Sequence, residues 1–380
     1  MKKYKVVELF PSICEGGAET LIKDYCLFLS KENFEMQVVT LLPPSPDSSN
    51  CRILKENGIK ITTLDRSRKF YKNWFLRNLW RYSIRPFYAS YQLKKYVAKE
   101  CPDCIHAHLR MLEYLWRISG SLNNIKLFYT CHNEAHLFFK NFKSIQELWG
   151  AKYLIRKKNL HMIALHQEMR NDINQMFGID NTLVVHNGVD FSRFKNVDVN
   201  QPEYRKSIGF SQDDFLVGHI GRFNEQKNHK MLLRIFKEII SKRPNAKLLM
   251  IGDGALRPQV EQDIDNLNIR EHCKILEHRS DIPELLSIMD VFLFPSFFEG
   301  LPVTLVEAQA VGLRCVVSDT ITKECYFSKQ IIPISLNHPI EDWCKAVLDS
   351  SIEGDYEFDI NRFDMNSEIK YLGNLYLNER

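Results

Sequence analysis

Residues 294–319 read F-P-S-F-F-E-G-L-P-V-T-L-V-E-A-Q-A-V-G-L-R-C-V-V-S-D. The apolar run 291–294 predicts a buried strand, 295–302 a turn, 303–311 a helix and 315–317 the next strand. Glu299 falls in the turn, and Glu307 falls on the helix eight residues later. Gly300 frees the backbone for close approach to a ligand, and Pro302 suits a first helical turn. Amides at such a helix start hold an anion, while carboxylates accept hydrogen bonds from hydroxyls. A nucleotide sugar combines the phosphate and the polyol that this stretch would bind.

The same strand-loop-helix grammar extends in both directions. Strands are predicted at 4–10, 36–42, 58–64, 104–108, 126–131, 162–165 and 183–185, then at 215–221, 246–251, 273–276 and 331–334. Helices are predicted at 18–30, 145–158, 166–177, 228–243, up to 267, 340–350 and 364–379, with a Pro/Ser-rich loop at 43–50 and a linker over 188–202. Ligands in open α/β sheets sit beyond the carboxyl ends of the strands, so the loops there hold the candidate site. After 215–221 come Arg222 and Lys227, two cations flanking a strand-to-helix loop, which is a diphosphate site in physical terms. After 246–251 comes the turn Gly252-Asp253-Gly254. Gly16-Gly17 precedes the first helix and permits approach to an anion, but it is not G-x-G-x-x-G, so the dinucleotide fingerprint fails. His106 and His108 lie at the end of one strand and His132 just after another; His106 reads as a satisfied core histidine. The segment H-N-E-A-H at 132–136 is not H-E-x-x-H, because Glu134 stands at the wrong place, and no metal site is predicted.

The pattern S-x-x-E-G-L-P-x-x-L-V-E-A-x-A-x-G, with Glu299 and Glu307 as its E-x7-E pair, resembles the donor-binding signature of glycosyltransferase family 4. The resemblance runs in family order through Gly16-Gly17, His132, H-N-G-V-D at 186–190, Arg222 and Lys227, Gly252 to Gly254 and Glu299 to Glu307. It implies a GT-B fold: two Rossmann-like, doubly wound parallel-sheet α/β domains facing a central cleft. The expected domains are 1–190 on the acceptor side, joined by a returning helix at 362–380, and 191–361 on the nucleotide-sugar side. By resemblance Glu299 holds the transferred sugar and Glu307 the ribose. Arg222 and Lys227 hold the diphosphate, and His132 sits beside the sugar. Further donor contacts implied are Gly16, Gly17, Asn187, Gly221, Gly252, Gly254, Arg279, Gly300, Leu301 and Pro302, with His108 on the acceptor side.

Composition agrees with such a protein. At 380 residues the chain is sized for about two domains, by a prior of ~150 residues each. Hydrophobic content of 44% and charged content of 26% suit a globular protein with an ample core. No run of 18 apolar residues predicts a spanning helix. Glu8 interrupts the opening segment before a signal-peptide core can develop, so a cytoplasmic location is expected. Ten cysteines lack the spacing of a disulfide framework and are expected to be reduced and mostly buried.

The net charge of +4 hides an asymmetry: residues 1–188 carry 28 Lys and Arg against 17 Asp and Glu, a net of +11, which leaves −7 for the remainder. Residues 66–99 concentrate it, with ten cations, ten aromatics and no carboxylate. That chemistry suits an anionic membrane surface, a helix pair packed on a sheet, or single-stranded nucleic acid. Membrane contact is the expectation carried forward, with no nucleic-acid partner.

The expected function is transfer of a hexose or N-acetylhexosamine, with the retention that the resemblance implies, from a nucleotide diphosphate sugar to a lipid-linked saccharide in polysaccharide or capsule biosynthesis. UDP-sugar is the expected donor because it is the family's usual one. No D-x-D ends a strand, so metal-independent transfer with no cofactor is expected, the donor being a co-substrate. A nucleotide-sugar epimerase of the same fold and a non-catalytic nucleotide-sugar binding protein are the rival readings.

Overall fold

The computed structural model describes residues 3–14, 17–45, 48–65, 80–140, 144–194, 197, 199–277, 279–351, 354 and 363–378. The chain forms two compact units, 1–187 with 366–380, and 188–365.

The first unit is built on seven parallel strands: β1 (Tyr4–Phe10), β2 (Phe34–Thr40), β3 (Lys60–Thr63), β4 (Cys104–His108), β5 (Lys126–Thr130), β6 (Leu160–Ala164) and β7 (Leu183–Val184). Their order in the sheet is β3-β2-β1-β4-β5-β6-β7. The chain therefore runs outward to β3, returns to the middle, and runs outward the other way from β4. Parallel strands covered on both faces read as continuous apolar runs. β1 fits this, with Val6, Val7 and Leu9 fully buried, and its one carboxylate, Glu8, is fully buried as well. The helix Gly17–Leu29 and the terminal helix Met365–Asn378 help to cover this sheet. Lys126 Nζ donates to the carbonyls of Tyr376 and Leu377 near the end of the terminal helix, at 2.8 and 3.0 Å, where a cation complements the helix dipole.

The sequence reading missed the helix Ser49–Glu56, which begins inside the expected Pro/Ser loop. Ser48 caps it, its hydroxyl accepting from Cys51 N at 3.2 Å, so what reads as loop composition is partly an N-cap signal. Of the basic aromatic segment, 66–79 lie outside the described residues. The helix Arg85–Glu100 divides the remainder: Ala89, Leu93, Tyr96 and Val97 face inward, while Phe87, Tyr91 and Ile84 are 65%, 54% and 45% exposed. No described helix is long and apolar enough to cross a membrane. All ten cysteines are free thiols, with seven buried, two intermediate and Cys101 exposed.

The second unit has six parallel strands: β8 (Phe215–Ile220), β9 (Ala246–Ile251), β10 (Cys273–Leu276), β11 (Val291–Phe294), β12 (Cys315–Ser318) and β13 (Ile331–Ile334). Their order is β10-β9-β8-β11-β12-β13, the Rossmann winding. Its core joins the apolar face of the helix His229–Lys242, at Leu232, Leu233, Phe236 and Ile239, to β8, β9, β11 and Trp343. In each unit the winding reverses between two adjacent strands, β1/β4 and β8/β11, and a crevice opens beyond their carboxyl ends.

Candidate functional site

The β8/β11 switch point carries the pair the sequence singled out in separate places. After β8 the chain passes Gly221 and Arg222 into a single 3-10 turn, Glu225–Lys227. Asn224 caps this turn through its side-chain oxygen, which accepts from Lys227 N at 3.2 Å. Asn228 follows in the left-handed region, φ 52°, and caps the helix His229–Lys242 by accepting from Met231 N. Its amide also donates to Pro295 O at 3.1 Å, tying this loop to the one after β11.

Glu299 lies in that second loop and is 6% exposed. Its Oε1 lies 2.7 Å from Lys227 Nζ, and its Oε2 accepts from Gln226 Nε2 at 3.0 Å. The Lys227 ammonium also sits 4.5 Å from the centre of the Phe294 ring, a cation–π contact. Gly221 makes room for this lysine, since a Cβ there would come within 2.9 Å of Lys227 Cε. Glu299 retains lone pairs beyond these two bonds, so it can still accept from a hydroxyl.

Arg222 is exposed, and its side chain has no hydrogen-bond or ion-pair partner among the described residues. Gly300, Leu301 and Pro302 are buried, and Pro302 precedes the helix Val303–Ala310 without a side-chain cap bond. The amides of that first turn carry the partial positive charge of a helix start. Glu307 is half-buried on the same helix.

The remaining expected contacts have these surroundings. Gly252, at φ 141°, and Gly254 are required by packing between loops: an added Cβ would lie 2.2 Å from Gly221 O and 2.4 Å from Phe223 O. Arg279, expected beneath a base, is bound to Asp281 two residues on, Nε to Oδ1 at 2.7 Å with Nη2 on Oδ2. That guanidinium, helped by the Tyr204 hydroxyl, holds the Asp281 carboxyl down to about 2. Gly16 lies outside the described residues; Gly17 opens the first helix with nothing within 4 Å of an added Cβ.

The first unit's switch point, β1/β4, carries a buried polar line. Glu8 pairs with His106 in the β1/β4 register, and His108, two residues on, shares that face. His108 Nε2 lies 2.7 Å from Glu8 Oε2, and its Nδ1 lies 2.9 Å from His132 Nε2. Tyr376 donates to Glu8 Oε1 at 3.2 Å. His106 is a satisfied core histidine, held between Tyr376 Oη at 2.5 Å and Thr130 Oγ1 at 2.7 Å. Burial pushes the ring of His108 down to about 3 and those of His106 and His132 well below their usual value. Asn187 is buried at the end of this unit. Beside it His186 N and Nδ1 contact the Glu368 carboxylate at 2.9 and 3.2 Å.

Two described groups have the donor types for a cation: Glu8 with His106 and His108, and Glu134 with His136 and Asp172. In the first, the nitrogens are already committed to the hydrogen bonds above. Sequence reading missed Glu8, Gln226 and Tyr376. A signal for Glu8 was present, since a lone carboxylate inside an apolar strand run marks a buried, partnered charge.

Comparison with known proteins gives the family. Residues 15–193 match Glycosyltransferase Family 4, and residues 200–327 match Glycosyl transferases group 1. The chain is 34% identical to EpsF of Bacillus subtilis (strain 168) over 169 residues, 44% of either chain. It is 29% identical over 308 residues, 77% of either chain, to the UDP-Gal:alpha-D-GlcNAc-diphosphoundecaprenol alpha-1,3-galactosyltransferase of Escherichia coli. Among solved structures, Anabaena Alr3699/HepE, in complex with UDP and glucose, superposes with a TM-score of 0.76 at 18% identity, covering 99% of this chain and 100% of that one. The chain belongs to glycosyltransferase family 4 and has its GT-B α/β fold of two Rossmann-like domains.

Proposed function

We propose that this protein transfers a hexose or N-acetylhexosamine from a UDP-sugar to a lipid-linked saccharide, with retention of anomeric configuration and without a metal. The observation that carries this reading is the Lys227–Glu299 pair at the β8/β11 switch point. In it, one cation for a diphosphate and one carboxylate for sugar hydroxyls are locked together at the place where open sheets bind ligands. The names of the E. coli relative and of the HepE structure, one acting on a diphosphoundecaprenol-linked sugar and the other binding UDP, point to the same donor and acceptor classes.

In this reading Arg222 and Lys227, with the amides of Gly300 and Leu301 and the start of the helix Val303–Ala310, stabilise charge building on the leaving diphosphate. Glu299 orients the sugar, Glu307 binds the ribose, and His132 and His108 act on the substrate side of the first unit. That unit meets the inner face of the membrane through the exposed Ile84, Phe87 and Tyr91, flanked by Lys94 and Lys95.

A thermal-shift screen against UDP-, GDP- and ADP-sugars, with and without chelator, tests the donor. At 100 times the dissociation constant a ligand adds ~2.7 kcal/mol of apparent stability. A chelator-insensitive shift with UDP-sugars alone is expected; a shift that needs a divalent cation sinks the metal-free part, and no shift with any UDP-sugar sinks the donor. For the membrane, failure of anionic liposomes to retain the protein at low salt overturns the contact.

A further inference from the structure

The proposed function gives no role to Glu8 or to the hydrogen bonds that join it to His108 and His108 to His132. Glu8 and His108 are fully buried, whereas His132 is half-buried. Its Nε2 is taken by His108, and its Nδ1 has no hydrogen-bond partner among the described residues. His108 is held neutral by burial. A neutral imidazole has one N–H and one lone pair, so its two bonds are tied to each other.

The two possible states follow from this constraint. With Glu8 ionised, His108 donates from Nε2 to the carboxylate. Its Nδ1 must then accept, so His132 donates from Nε2 and keeps a bare lone pair at Nδ1. With Glu8 protonated, the acid donates to His108 Nε2, His108 donates from Nδ1 to His132 Nε2, and the His132 proton sits on Nδ1. Every bond survives in both states, but each one reverses direction. Tyr376 donates to the other Glu8 oxygen in either case.

We propose that Glu8, acting through His108, decides whether His132 presents a proton or a lone pair at Nδ1 to bound substrate. Glu8 is thus a positioning residue, and this role rests on the reading of His132 as a substrate contact. The proton count balances. One proton taken up at His132 Nδ1 releases the Nε2 proton to His108 Nδ1, and His108 releases its Nε2 proton to Glu8 Oε2. One proton enters, one ends on Glu8, and both rings are neutral before and after.

The surroundings allow Glu8 to change state in an accessible range. Burial raises its carboxyl to about 8, opposed by the Tyr376 hydrogen bond. The titratable groups facing it are Cys104, His106 and His108 on β4, Tyr25 and Cys26 on the helix Gly17–Leu29, and Tyr376 on the terminal helix. Behind these lie Asp24 and Glu368, which act on Tyr25, and His132, which bonds to His108. None of these is a lysine or arginine, so no fixed cation among the described residues holds the carboxylate ionised.

The test is histidine-labelled full-length protein, with long-range nitrogen–carbon NMR correlations reading the ring tautomers across pH 6 to 10. In the unmodified protein the His132 proton is expected on Nδ1 at low pH and on Nε2 at high pH, with the change near pH 8. In Glu8→Gln, the amide oxygen keeps the Tyr376 bond and the NH2 donates to His108, so His132 is expected to stay protonated on Nδ1 throughout. The kcat–pH profile should lose the same ionisation in Glu8→Gln, with the donor KM changed by less than about threefold. A His132 tautomer that ignores both pH and Glu8→Gln overturns the proposal. If the variant fails to fold, the pH series on the unmodified protein decides alone. His132→Ala with undiminished turnover would instead overturn the substrate role of His132, an outcome the tautomer measurement distinguishes.

Discussion

Lys227 and Glu299 are 72 residues apart in sequence, yet their charged atoms lie 2.7 Å apart with side chains 13% and 6% exposed. Each reaches the other from a different strand-to-helix loop, so the pair fixes the two loops of the β8/β11 switch point to one another. Burial of a charge is costly unless it is matched, and here each charge is the other's match. Gln226 adds a second donor to the carboxylate, and Phe294 offers its ring face to the ammonium.

The first prediction follows from that mutual dependence. Lys227→Ala or Glu299→Ala should lose turnover, and each should also destabilise the second unit by about 3 kcal/mol, because it leaves a buried charge unmatched. The double variant Lys227→Met with Glu299→Gln removes both charges at nearly constant volume. It should recover most of the stability and none of the activity. Denaturant unfolding set beside a transfer assay separates the two effects, and a double variant no more stable than the singles would show that the pair is not energetically coupled.

Arg222 behaves differently because nothing in the described protein binds it. Arg222→Ala should leave stability within about 0.5 kcal/mol, as for an exposed side chain away from any network. If it stabilises the departing diphosphate, turnover should fall by about 10²- to 10³-fold. A stability loss of several kcal/mol would mean instead that the guanidinium has a structural role.

These contrasts show which parts of the molecule a sequence can disclose. The strands 104–108, 246–251, 273–276, 291–294 and 331–334 fall where the apolar runs put them, because a parallel strand covered on both faces has to be such a run. Arg222, Lys227 and Glu299 are legible as candidates because each lies in a loop after a strand, and Glu307 because it follows Glu299 by eight residues on the next helix. Their pairing is not legible: nothing local says that Lys227 turns to Glu299 while Arg222 stays free. Arg279 makes the same point, since nothing local says that its guanidinium pairs with Asp281 two residues on. Glu8 is visible as a lone carboxylate in an apolar run, but its partners are not, as His108 and Tyr376 lie 100 and 368 residues away.

The loop glycines yield a packing prediction. Gly252 combines a φ of 141° with an added Cβ only 2.2 Å from Gly221 O, a backbone atom that cannot swing aside. Gly252→Ala should therefore cost more than the ~1 kcal/mol typical of a point change, and it should disturb the Gly221–Lys227 loop with it. Gly17→Ala, which meets nothing within 4 Å and lies at a helix start, should be nearly neutral for stability. Thermal unfolding of the two variants side by side checks this, and equal effects would refute it.

Glu147 gives a pH dependence whose sign can be worked out in full. It is 3% exposed, and it accepts from Leu112 N at 2.9 Å and Glu113 N at 3.4 Å at the start of the helix Leu112–Arg117. Burial raises its carboxyl from 4.5 to about 8, against the pull of those two amides. Between these values the folded protein holds a proton that the unfolded chain releases, so this group's contribution is complete below pH 4.5 and is lost as pH rises to about 8. The slope is about 1.4 kcal/mol per pH unit at most. Glu147→Gln abolishes this titration while keeping an oxygen for the amides, and comparing it with the parent cancels the similar contribution of Glu8. The variant should match the parent near pH 5 and exceed it in stability at pH 9. A variant less stable than the parent at pH 9 would mean that the two helix amides hold Glu147 ionised, and that its hydrogen bonds outweigh its burial.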